Sequence, residues 1–86
     1  LTRMSIEYLT TMAKQRLRNQ IFENYIYENQ DVRDLCQEVV YKWYLDKHHG
    51  DKADLWFDIK GELELMVELE EYERCALLND IIKRFE

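Results

Sequence analysis

Apolar residues recur along the chain at spacings of three and four, the period at which helical side chains return to one face. Polar breaks divide them into four runs. The first, Ile6, Leu9, Ala13, Leu17, Ile21 and Tyr25, predicts a helix over about residues 5–28 with Ser5 as its cap. Phe22 and Ile26 widen that stripe, and Tyr25, Ile26 and Tyr27 are also residue types that suit an extended segment. Asn29, Gln30 and Asp31 interrupt the pattern, Asn and Asp offering cap oxygens, and Asp34 falls in the first turn of the next helix, where a negative charge suits the helix dipole. This second helix, 31–49, is expected to turn Val32, Leu35, Cys36, Val39, Val40 and Trp43 inward. Lys47, His48, His49 and Gly50 end it, with glycine expected at the left-handed C′ position. Asp51 or Asp54 can cap a third helix, 52–69, with Leu55, Trp56, Ile59, Leu63 and Met66 inward and Asp58, Lys60, Glu62 and Glu64 toward water. Gly61 inside it costs about 1 kcal/mol against alanine, so either a neighbour packs closely there or the helix is locally weak. A short acidic turn at Glu70 and Glu71 leads to a fourth helix, 72–85, with a stripe of Tyr72, Cys75, Ala76, Leu78, Ile82 and Phe85. Lys83 and Arg84 suit its carbonyl end.

The expected fold is therefore all-α: a four-helix domain over residues 1–86, with the last two helices an antiparallel hairpin packed on the first two. With 86 residues such a chain buries roughly 60–65% of its unfolded surface. The stripes exceed what one core of that size hides, which points to a homodimer. The absence of proline and the presence of only two glycines leave few built-in helix stops. Cys36 and Cys75 each lie within an apolar stripe, where a reduced thiol behaves as a small hydrophobe, as expected of a cytoplasmic protein. No apolar run approaches the roughly 18–20 residues needed to cross a bilayer, so no membrane partner is expected. Met4 is the expected natural start, after Leu1, Thr2 and Arg3.

Charge adds an asymmetry that periodicity does not carry. The net charge is -6. Residues 1–18 hold four basic groups against Glu7, a balance of +3. Residues 19–50 hold three basic groups against six acids, and residues 51–86 five against eleven. Ends of opposite sign favour an antiparallel or head-to-tail contact between the first helix and the last hairpin, within one chain or between two.

Residues 71–82, EYERCALLNDII, resemble the UVR motif, the short helical hairpin found in the bacterial excision-repair proteins UvrB and UvrC. Tyr72, Glu73, Cys75, Ala76, Leu78, Asp80 and Ile82 fill the motif's places in order, and Ile59, Leu63 and Met66 stand where its preceding amphipathic helix would be. Cys75 departs from the family's alanine and Asn79 from its usual arginine. The resemblance implies a protein–protein module that pairs with other hairpins or partner helices and carries out no chemistry itself. The positions bound by a partner would be Tyr72, Cys75, Ala76 and Asn79.

Candidate chemistry is sparse. His48 and His49 are adjacent on a helix end and point apart, which suits a solvated terminus rather than a metal site. No nucleophile–base set, glycine-rich phosphate loop or paired-cysteine site stands out, so neither an enzyme nor a cofactor is expected. Phe22, Tyr27, Tyr41 and Tyr44 lie at stripe edges, where exposed rings would serve a partner. Glu62, Glu64, Glu68, Glu70, Glu71 and Glu73 form an acidic face that could occupy a basic groove in place of nucleic acid. Phage-encoded inhibitors of host defence, such as anti-CRISPR proteins, act in that way. Lys14, Arg16 and Arg18 form a basic face on the first helix, but the net charge makes direct nucleic-acid binding the least favoured class. Another protein is the expected partner.

Overall fold

A computed structural model of the chain describes residues 19–86. Ser5 and the basic residues Lys14, Arg16 and Arg18 lie outside the described residues. The architecture is an all-α four-helix domain: α1 (19–24), α2 (Gln30–Lys47), α3 (Lys52–Glu68) and α4 (Tyr72–Phe85). No strand occurs among the described residues.

Helix α1 stops short of Glu28. It tightens into a 3-10 turn over Tyr25–Tyr27, and Glu28 is extended at ψ 158°. The turn carries Tyr25 into the core while Ile26 and Tyr27 face outward, so Tyr25–Tyr27 is neither α-helix nor strand. Asn29 then caps α2 by accepting from the Val32 N–H at 2.9 Å. Asp51 caps α3 by accepting from the Asp54 N–H at 3.2 Å.

Helices α2 and α3 end in the same device. The Gly50 N–H donates to the Leu45 carbonyl at 2.8 Å and the His49 N–H to Asp46 at 3.3 Å. The Glu71 N–H donates to Met66 at 2.9 Å and the Glu70 N–H to Val67 at 3.1 Å. Both pairs form a Schellman closure, which satisfies the last carbonyls. Its left-handed residue is His49 (φ 52°) in one case and Glu70 (φ 58°) in the other. Gly50, expected at that position, sits one residue later with φ 82°. A left-handed non-glycine residue costs about 1–2 kcal/mol.

Helix α4 is the centre of the fold, packing on α3, α2 and the 3-10 turn. Three neighbours require a wider apolar face than one stripe supplies. Leu77, Leu78 and Ile81 are fully buried and Cys75 nearly so, whereas Tyr72 is 63% exposed. The inward face is thus rotated from the expected stripe toward Leu77 and Ile81. Val40, Tyr44, Leu55, Ile59, Phe22 and Tyr25 complete the core, each large aliphatic side chain there contributing about 1.5–3 kcal/mol of burial. Tyr41 stacks on Phe85 (4.2 Å, 2°) and on Trp56 (5.8 Å, 27°), sealing the seam between α2, α3 and α4. Both cysteines are free thiols, and burial raises the Cys36 thiol, helped by the Glu28 charge.

Helix α2 is also rotated from expectation. Its buried residues are Gln37, Val40 and Tyr44, and Leu35 is exposed. Gln37 enters the core because both ends of its amide are satisfied there: Nε2 donates to the Tyr25 hydroxyl at 2.8 Å and Oε1 accepts from Arg84 Nη1 at 3.2 Å. The Tyr25 hydroxyl donates in turn to Asp80, and Arg84 Nη2 donates to Glu38 at 2.7 Å. The network joins the 3-10 turn to α2 and α4. Burial and the Asp80 bond push the Tyr25 hydroxyl up to about 12.

Candidate functional site

The outward side of α3 carries apolar side chains that no core claims. Phe57, Gly61 and Leu65 stand four residues apart, one above the other on a single face. With Asp54, Asp58 and Glu62 and with Lys47 and His48 from the end of α2, they line an open groove of about 570 Å³. Phe57 is 85% exposed, the most exposed large hydrophobic side chain among the described residues, and Leu65 is half exposed. A methyl group at Gly61 would meet nothing within 4 Å, so no neighbour requires this glycine; it leaves a gap between Phe57 and Leu65.

The inner wall of the groove is held by polar contacts. Asp58 accepts from Lys47 Nζ at 2.8 Å and lies 2.8 Å from His48 Nε2. Burial raises the Asp58 carboxyl, but those two hydrogen bonds and charges outweigh it and hold the group below its ordinary value. The Tyr44 hydroxyl donates to Glu62 from the core side. Asp54, Glu64 and Glu68 are exposed and make no ion pair among the described residues.

The residues expected to bind a partner scatter. Phe22 and Tyr44 are core residues rather than surplus edge rings: Arg74 lies 5.4 Å over the Phe22 ring, and Glu62 satisfies the Tyr44 hydroxyl. Tyr41 is half-buried in its stack. Cys75 is buried, Ala76 is half-buried against the core, and Tyr72 and Asn79 are exposed. Tyr27, 76% exposed, is brought beside Glu71, Glu73, Arg74 and Phe22 around a second, smaller depression. Of the acidic face, Glu64, Glu68, Glu70 and Glu71 are exposed, Glu73 is half-buried, and Glu62 is committed to Tyr44.

Phe57 and Leu65 were not among the expected site residues. The signal for Phe57 is the run Leu55, Trp56, Phe57: successive helical side chains are about 100° apart, so three apolar neighbours cannot all face one core. Among the described residues no group of three or more His, Cys, Asp or Glu side chains is placed to hold a metal ion. No described helix is long and apolar enough to cross a membrane. No protein-family model matches the chain, and neither a curated protein nor a solved structure matches it.

Proposed function

We propose that the protein is a non-enzymatic protein–protein interaction module, an adaptor or regulator that acts through its helical surfaces and above all through the outer face of α3. The observation that carries this is Phe57, a large aromatic ring 85% exposed at the edge of an apolar gap. Aromatic residues concentrate at interface hot spots, and exposed apolar patches rimmed by polar groups mark binding surfaces. The likeness of Glu71–Ile82 to the UVR hairpin supports the same class, since α3 and α4 pair as an antiparallel hairpin. The test is affinity capture from cell extract with the wild-type chain and with Phe57→Glu. Partners retained by the first and lost by the second support the module; a set unchanged by the substitution removes Phe57 from it.

The second reading, an acidic inhibitor that takes the place of nucleic acid in a basic groove, draws on the exposed carboxylates Glu64, Glu68, Glu70 and Glu71. A phosphate mimic has no use for an exposed ring and a leucine amid its charges. Binding that falls steeply with salt and ignores Phe57 would favour the mimic. A homodimer through the exposed Val67, Leu69 and Tyr72 near the α3–α4 turn is checked by light scattering over a range of concentrations.

A further inference from the structure

The geometry points to the chemistry of the partner: we infer that the α3 groove receives a basic amphipathic helix of another protein, an apolar row flanked by lysine or arginine. This deepens the interaction-module reading and rests on it. Phe57 and Leu65 are eight residues apart, about 12 Å along the axis, a length matched by two turns of a facing helix. The missing side chain at Gly61 opens a hole between them, into which one apolar knob of the partner fits as side chains of packed helices interdigitate. Every edge of α3 is a helix surface with its backbone bonds already made. An extended peptide therefore has no ladder to join, and a helix with its own bonds satisfied docks at lower cost.

Charge selects the sign of that helix. Five carboxylates, Asp54, Asp58, Glu62, Glu64 and Glu68, lie in or beside the groove. On its rim Lys47 pairs with Asp58 at 2.8 Å and lies 5.9 Å over the Tyr44 ring, and His48 Nε2 stands 2.8 Å from the same carboxylate. The surrounding residues 51–86 hold five basic groups against eleven acids, so anionic lipid and nucleic acid are repelled. The same groove on a second copy would bring like charges face to face in an isologous contact, which costs rather than stabilises. A cationic partner gains both the apolar contact and the complementary field.

The test uses the full chain and a fluorescent leucine–lysine amphipathic peptide of about 18 residues, with a leucine–glutamate peptide of the same apolar pattern as the comparison, read by anisotropy. Phe57→Ala removes the ring. Gly61→Gln fills the hole with a good helix former, so a loss of binding there cannot come from a failure to fold. Leu35→Ala, an exposed residue of α2, is the control. The expected result is binding of the lysine peptide only, weakened about 10- to 30-fold by Phe57→Ala and by Gly61→Gln and unchanged by Leu35→Ala. Absence of binding, equal binding of both peptides, or binding indifferent to Phe57 and Gly61 overturns the inference. Wild-type self-association abolished by Phe57→Ala also overturns it, assigning the face to a second copy. In each case capture that depends on Phe57 would leave the broader module reading standing, and only the absence of any captured partner would remove both.

Discussion

Replacing Tyr25 with phenylalanine keeps the buried ring and deletes one oxygen, which isolates the polar network from the apolar core around it. That oxygen donates to the Asp80 carboxylate and accepts from Gln37 Nε2 at 2.8 Å. A hydrogen bond to a charged group contributes about 1.5–3 kcal/mol and one between neutral groups about 1 kcal/mol. Asp80 is half-buried and can recover water, whereas Gln37 is only 5% exposed and cannot. The expected cost is therefore about 2–3 kcal/mol, a large part of the roughly 4–13 kcal/mol available to a domain of this size. It corresponds to a fall of roughly 10–20 °C in Tm. Urea unfolding followed by tryptophan fluorescence and circular dichroism at neutral pH measures it. Alkaline titration adds a signature that lost packing would not produce. The Tyr25 hydroxyl is pushed up to about 12 in the fold against about 10 in the unfolded chain. Its contribution is complete below pH 10 and falls as the pH rises from about 10 to 12, when the unfolded chain releases a proton that the fold retains. Over that window the difference between wild type and Tyr25→Phe shrinks toward zero. A cost below about 0.5 kcal/mol at neutral pH, or stability curves that stay parallel to pH 12, would refute the network's role.

Gly61→Ala should stabilise the chain by about 1 kcal/mol, because the added methyl group meets no neighbour and the helix gains propensity; a lower Tm would reveal a contact there. Glu70→Gly should add about 1 kcal/mol in chemical denaturation, since it relieves a left-handed side chain and removes an acid from the carbonyl end of α3; any loss would mean that the Glu70 side chain makes a contact worth more than its strain. Asp58→Asn should cost about 0.5–1 kcal/mol near neutral pH. Because the Asp58 carboxyl is lowered in the fold, its contribution is present above the ordinary carboxylate range and lost as the pH falls through the folded value, so the two melting curves should merge in acid. Ala76→Leu should cost about 1–3 kcal/mol by overpacking, as Ala76 is half-buried against the core; an unchanged midpoint would place the residue at a surface.

Breaks and caps were legible because they are local. Asn29 and Asp51 bond to amides three residues on, and such spacing can be read without knowing the fold. The inward face of α3 was legible too, since Leu55, Ile59, Leu63 and Met66 reach the core at the ordinary period. The faces of α2 and α4 were not. Gln37 looks like a surface residue until Tyr25 and Arg84, 12 and 47 positions away, supply its partners. Tyr44 looks amphipathic until Glu62, 18 positions on, satisfies its hydroxyl. In α4 the apolar face widens to Leu77 and Ile81 because three elements converge on it, and one-helix periodicity counts only one. For the site, the acidic character of α3 was evident and its exposed ring was not: Phe22 and Tyr44 stand at stripe edges in the sequence but are absorbed by the core, whereas Phe57 sits inside an apolar run and is exposed.

The central place of α4 has a consequence for how the chain is made. Phe22 and Tyr25 have no finished interior to enter until Leu77, Asp80 and Ile81 exist, and the hydroxyl bond of Tyr25 spans 55 positions. At roughly 5–20 residues per second, a ribosome takes about 3–10 s to supply them. For that interval the earlier helices emerge with their apolar sides uncovered, and chaperones have their longest opportunity to bind. Closure of this core then waits on the arrival of its most connected helix.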